Sequence, residues 1–256
     1  MGPTIPVAHD FNCPWCWIGM FQARRLRRDF GAKIEWRSYE LYPDELELPG
    51  TPPVRPSIPN RPETPKRIEL ALAAEGLDPI DLAKDSAIRT HRAHEAIEFA
   101  KLCGVQDDLL ERIYIAYWRE EKDIDSIKEL VKLSKGLIED QKELEKAIDE
   151  RRFADKIIPF NKPAYASGVF NVPTFWIDGE RYAEQPYSVL SSAMGSLLPV
   201  TFDEGPGPPV RERISRARYD AQGDSAPCTK WPSFIATFRP LGDFPATLLS
   251  SSPAPA

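Results

Sequence analysis

The spacing of apolar positions divides this chain into segments of different character. Residues 5–10 read as a short strand running up to a pair of cysteines. From Trp15 to Phe30 the period becomes helical. Ile18, Phe21, Leu26 and Phe30 fall on one stripe, Arg24, Arg25, Arg27 and Arg28 read as a solvated face, and Gly31 stands where a helix closes. Residues 33–41 alternate with period two, placing Ile34 and Trp36 on one face of a strand. The start of the chain is therefore a βαβ unit.

The next regular pattern is helical almost throughout. Helices are predicted over 66–75, 81–103, 107–120, 126–134 and 141–154, punctuated by Gly76, Gly104 and Gly136. Ile113, Tyr114, Tyr117 and Trp118 form a stripe that reads as core. Residues 169–176 return to an extended pattern, and Asp178-Gly179 is the strongest hairpin signal in the chain, with 180–182 as the returning strand. Pro186 opens a last helix running to about 198.

The expected fold class is α/β: a two-part sheet, βαβ and then ββα, interrupted by an all-helical insertion. The expected divisions are 1–64, the first half with a Pro-rich loop; 65–160, the helical insertion; 161–202, the second half; and 203–256, a disordered tail. Proline supports the two irregular stretches. Of 26 prolines, eight lie between Pro43 and Pro65 and nine after Phe202.

Composition narrows the function. With 42% hydrophobic and 28% charged residues the chain can build a packed core. A net charge of -6 argues against nucleic acid as a partner. No run approaches the roughly 18 apolar residues of a membrane helix. Residues 1–10 show no basic region followed by an apolar stretch, so a cytoplasmic location is expected.

Cys13-Pro14-Trp15-Cys16 lies between the first strand and the first helix. A sulfur at a helix N-terminus faces unpaired N–H groups and the positive end of the helix dipole, which favour the nucleophilic thiolate. Pro14 suits the first helical position. Cys13 reads as the exposed attacker and Cys16, one turn inside, as the buried resolver. Such a pair beside a βαβ pattern points to thiol–disulfide chemistry. Zinc would need about four ligands, and the His91/His94 spacing is short for a zinc pair, so no metal and no cofactor are expected. Asp10 and Glu40 are the acids placed to take a proton from Cys16, although each reads more simply as a surface acid at a strand end. Trp15 and Trp17 fit either a binding surface or the core. Cys103 reads as an inert buried thiol, and Cys228 has no assigned role.

Residues 10–19, Asp-Phe-Asn-Cys-Pro-Trp-Cys-Trp-Ile-Gly, resemble the active-site opening of DsbA-like thioredoxin-fold oxidoreductases of the FrnE-like branch. Residues 36–43 resemble that branch's second strand, 168–175 its G-V-x-x-V-P-T-F segment, and 183–187 the turn that follows. The resemblance spans about 5–200. It implies a cis Pro173 packed beside the cysteine pair. Catalysis would rest on Cys13, Cys16 and Pro173, and substrate binding on Pro14, Trp15, Val172 and Thr174. The implied partner is a disulfide- or thiol-containing protein, or a small thiol such as glutathione. Relatives sharing this architecture, 2-hydroxychromene-2-carboxylate isomerase and kappa-class glutathione transferase, use glutathione and generally lack the second cysteine. Cys16 therefore favours a dithiol enzyme over a glutathione-dependent isomerase or transferase, and over a non-catalytic binding module.

Overall fold

The computed structural model describes residues 2–48, 66–81 and 87–197. The Pro-rich stretch 49–65 and the expected tail lie outside the described residues. β1 (Thr4–His9) passes through the cysteine turn into α1 (Pro14–Phe30), which returns the chain to β2 (Lys33–Glu40), parallel to β1. α2 (Arg67–Ala74), α3 (His91–Cys103), α4 (Gln106–Trp118), α5 (Ile127–Leu133) and α6 (Gln141–Asp149) follow. The sheet then resumes with β3 (Ile158–Pro159), and α7 (Lys162–Ala166), β4 (Thr174–Ile177), β5 (Glu180–Ala183) and α8 (Tyr187–Gly195) complete the described chain. The five strands lie in the order β3-β2-β1-β4-β5.

β1 is central, with β2 on one side and antiparallel β4 on the other. Its Val7, Ala8 and His9 are fully buried. Pro6 precedes the β4 pairing, which spans Val7 and Ala8, so its missing N–H costs no bond to that strand. Ile34 and Trp36 share the buried face of β2, as their alternation requires. Asp178 and Gly179 both have positive φ, the conformation a tight type I′ hairpin demands.

The differences from the sequence reading have local causes. α3 begins at His91 because the residues before it are bound to the cysteine turn: Thr90 donates to Asp10 Oδ2, and Ile88 pairs through both backbone groups with the Asn12 side chain. α6 stops at Asp149 because Arg151 turns left-handed, φ 50°, and sends its guanidinium to Asp44. β3 begins at Ile158, inside the span assigned to the helical insertion, and two residues are too few to show alternation. Its Pro159 is tolerated at a sheet edge. The arginine face of α1 is not simply solvated. Arg24 and Arg27 pair with Glu111 and Asp107 at 3.0 and 3.2 Å, tying α1 to α4, and Arg25 pairs with Glu75 at 2.7 Å. Cys103 is half-buried rather than buried, at the last turn of α3.

Glu40, read above as a surface acid or a base for Cys16, is buried and belongs to another cluster. Its Oε2 lies 3.1 Å from His91 Nδ1, and Glu95 Oε1 lies 3.3 Å from His91 Nε2. Burial opposes charge on the ring, but the hydrogen bonds to Glu40 and Glu95 outweigh it and push His91 up to about 9. Arg151 Nε also lies 3.1 Å from Nε2. Only a neutral ring accepts that bond, so with His91 charged we place Nε2–H on Glu95 and leave Arg151 on Asp44. A raised histidine contributes stability that is complete below its ordinary value near 6.5 and is lost as pH rises through about 9. We therefore expect His91→Gln to cost about 3 kcal/mol at pH 6, the lower end for removing one partner of a buried ion pair. That gap should narrow steadily between about pH 6.5 and pH 9. Urea unfolding of both proteins across this range measures it, and a gap independent of pH would show that the ring carries no charge here.

Candidate functional site

The cysteine turn is built on one carboxyl group. Asp10, fully buried and not at the surface, accepts hydrogen bonds from the Asn12 N–H at 2.6 Å, the Leu41 N–H at 2.9 Å and the Thr90 hydroxyl at 2.9 Å. It thereby ties the end of β1 to the end of β2 and the start of α3. Its carbonyl accepts the Cys13 N–H at 3.3 Å, closing the turn that feeds α1. Helix α4 holds the same turn from behind. Tyr114 donates to the Asp10 carbonyl, Tyr117 to Asn12 Oδ1 and Trp118 Nε1 to the Phe11 carbonyl, at 3.1, 3.0 and 3.1 Å. The aromatic stripe read as core is core, and its polar tips shape the turn.

Cys13 is the N-cap residue of α1, Pro14 is its first helical residue, and no acid lies in the first turn. The sulfur therefore stands at a helix N-terminus with its positive partial charge uncountered locally. Cys13 is only 6% exposed, a correction to the open attacker expected, because its Sγ turns onto the Val172 carbonyl at 3.1 Å. The Val172–Pro173 peptide is cis. Pro173 packs on α1 at Gly19, where a Cβ would lie 2.9 Å from both Pro173 Cβ and Cγ. Thr174 is buried, and its hydroxyl donates to the Asn171 carbonyl at 2.7 Å. It braces the Pro173 loop from inside.

Cys16 is 1% exposed, and burial pushes its thiol well up, with the Cys13 neighbour adding to the rise. The two sulfurs are thus unequal: one at the helix mouth, the other enclosed. Of the two proposed bases, Glu40 is engaged with His91, and the Asp10 oxygens are occupied by the donors named above. Trp17 is core. Trp15 is half-buried with the Arg67 guanidinium 4.6 Å from its ring centre, and it lines a cleft of about 180 Å³ with Ile18, Gln22, Arg67, Pro173 and Gln185. The structure thus brings Cys13, Cys16, Pro14, Val172 and Pro173 together, with Trp15 on the adjoining wall. Sequence reasoning missed Asn12, Thr90 and the hydroxyls of Tyr114 and Tyr117. For Tyr114 and Tyr117 the only signal was a polar atom on an otherwise apolar stripe.

No group of three or more His, Cys, Asp or Glu side chains among the described residues has metal-binding geometry, and no described helix is long and apolar enough to cross a membrane. The profile of the DSBA-like thioredoxin domain matches residues 4–195. A probable DsbA oxidoreductase from Streptomyces coelicolor has 22% identity and a TM-score of 0.58, covering 81% of this chain and 99% of its own. A 2-hydroxychromene-2-carboxylate isomerase has 18% identity and a TM-score of 0.53, covering 76% and 95%. The cytosolic disulfide reductase DsbM from Pseudomonas aeruginosa has 19% identity and a TM-score of 0.51, covering 76% and 100%. At these identities the likeness is one of fold. No functionally curated protein matches the sequence.

The Gly19 contact decides between two opposed effects. An alanine in mid-helix gains up to about 1 kcal/mol of helix propensity. A methyl pressed against a proline ring costs about 1–3 kcal/mol of overpacking. The overpacking should win, so Gly19→Ala is expected to lose about 1 kcal/mol in denaturant unfolding and to change the alkylation rate of Cys13 as the Pro173 loop shifts. A gain in stability would mean that α1 and Pro173 are not in contact.

Proposed function

This chain belongs to the DsbA-like thioredoxin-domain family, and on that premise we propose that it is a cytoplasmic thiol–disulfide oxidoreductase working through Cys13 and Cys16. One observation carries the reading. Two reduced cysteines share the start of α1, one at the helix mouth against the Pro173 loop and one enclosed with its thiol pushed well up. Cys13 as thiolate attacks a disulfide, a mixed disulfide forms, and Cys16 displaces the bound partner. The Cys13 S–H occupies the Val172 carbonyl in the reduced protein. Ionisation or covalent capture of Cys13 removes that donor, and the carbonyl becomes free for a substrate backbone N–H.

Pro14, Val172, Thr174 and Trp15 are assigned to substrate binding in this reading, with Trp15 and Pro173 forming the cleft wall. A thiol-bearing peptide, either a protein segment or glutathione, suits a cleft with apolar walls and the polar groups of Arg67 and Gln22 at its side. The residues from α2 to α6 act as an insertion whose task is to grip the cysteine turn.

The test is reduction of a protein disulfide with glutathione as the electron source. Cys13→Ser should abolish turnover. Cys16→Ser should lose at least tenfold and accumulate a mixed disulfide on Cys13, visible on a non-reducing gel. Undiminished activity with both cysteines replaced would sink the proposal. Glutathione-dependent turnover of an aryl substrate that survives Cys16→Ser would instead favour the isomerase or transferase chemistry.

A further inference from the structure

The loop that brings Val172 to Cys13 also carries the most exposed large apolar side chain among the described residues. Phe170 is 65% exposed. Its ring stacks on Tyr165, 49% exposed, with centroids 6.0 Å apart and planes within 13°. Phe160 meets Tyr165 edge-to-face at 5.9 Å, so a chain of three aromatic contacts ends on the Val172 loop.

This exposure is not the looseness of a loop. α7 ends in a Schellman motif. The Val169 N–H donates to the Ala164 carbonyl at 2.9 Å and the Gly168 N–H to the Tyr165 carbonyl at 3.0 Å, with Gly168 left-handed at φ 79°. The apolar pair that such a cap uses is here Val169 and Ala164, both fully buried. Arg181 donates to the Gly168 carbonyl, and the Thr174 hydroxyl holds the Asn171 carbonyl at 2.7 Å. The backbone is thus bound on both sides of Phe170. Val169 and Val172 are turned into the core while Phe170 is left outside it, and the helix cap is complete without the Tyr165–Phe170 stack.

The stack has a fixed place relative to the sulfur. The Val172 carbonyl lies 3.1 Å from Cys13 Sγ, and Phe170 stands two residues before it on the same pinned loop. An extended chain advances about 3.3 Å per residue, and side chains two apart share one face. A partner joined to Cys13, with its backbone at the Val172 carbonyl, therefore passes Phe170 with the side chain two places from its own cysteine. Glutathione has one residue on each side of its cysteine and is too short to reach. We propose that Tyr165 and Phe170 form an apolar platform that selects extended protein segments, taking an aliphatic side chain two residues from the attacked cysteine. This rests on the dithiol reading of Cys13 and Cys16, and narrows its partner from any thiol-bearing peptide to a protein segment.

The experiment uses the reduced full chain and mixed disulfides of 2-nitro-5-thiobenzoate with three thiols. The first is a capped pentapeptide with cysteine at its centre, glycine on each side of it and leucine at both ends. The second replaces both leucines with serine, and the third is glutathione. Cys13 Sγ bonds to the peptide sulfur, the S–S bond to nitrothiobenzoate breaks, and that group leaves as a coloured thiolate while the Cys13 proton passes to buffer. Cys13 is oxidised and nitrothiobenzoate is reduced, so no further reagent is needed. The rate read is the release lost in Cys13→Ser. The wild type should react at least about fivefold faster with the leucine peptide than with the serine peptide, as expected for partial burial of a leucine side chain. Phe170→Ser and, separately, Tyr165→Ser should each bring that ratio below about twofold. A wild-type ratio near one, or a ratio that survives both variants, would overturn the platform and leave the dithiol reading standing. So would a loss shared equally by glutathione, which would mean that the loop itself had moved. Release that persists unchanged in Cys13→Ser with every probe would overturn the dithiol reading instead.

Discussion

The structure turns on a buried carboxyl group with three donors. Asp10 ends the central strand, and its oxygens hold the turn before Cys13, the end of β2 and the first residue of the α3 cap. Removing an acid in such a position leaves two backbone N–H groups and a hydroxyl without partners away from water, each costing about 1–3 kcal/mol. The cost is local in its chemistry and long-range in its effect, because the three donors come from three separate segments. The direction in which α1 leaves the sheet, and so the position of Cys13, follows from this junction.

The helical segments between β2 and β3 then have a defined task. Thioredoxin-like strands place a cysteine pair at the end of β1, but a four-residue turn has few contacts of its own. Here α4 supplies Tyr114, Tyr117 and Trp118, which donate to three successive residues of the turn. The extended residues before α3 add a two-way backbone clasp to Asn12. Buried polar networks that are fully paired resist rearrangement, because any partial opening strands a group in a medium of low dielectric. On the opposite side the Pro173 loop meets α1 at a glycine that admits no methyl. Cys13 is therefore fixed from behind by helices and from the front by a loop.

Much of this was legible along the chain. α1 and β2 appeared because each keeps one period, β1 as a short apolar run before the cysteines, and the cysteine motif was placed by its position between β1 and α1. The Asp178-Gly179 hairpin was legible because few residue pairs accept two positive φ values. What escaped notice has a common cause. Tyr114 and Tyr117 followed a helical stripe that any buried helix shows, and periodicity says nothing about where a hydroxyl ends. Asp10 and Glu40 looked like strand-end acids because two of the three Asp10 partners lie 31 and 80 residues away and the Glu40 partner His91 lies 51 away. The start of α3 and the end of α6 were misplaced for the same reason, since Thr90 and Arg151 are committed to distant groups.

The asymmetry of the two sulfurs follows from these constraints taken together. A thiolate is favoured by positive potential, and α1 offers the positive end of its dipole at its first turn only, since the effect fades within a turn. Cys13 has that position. Cys16, one turn further in, meets burial and the Asp10 charge, which both favour the protonated thiol. Such a pair is unequal without any motion of the backbone: one sulfur stands at the helix mouth, and burial keeps the other a thiol. The fold achieves this with the same groups that stabilise the turn. Any substitution that loosens the grip of α4 or the Asp10 junction would therefore blur the difference between the sulfurs as it lowers stability. Stability and sulfur asymmetry are two consequences of one buried network.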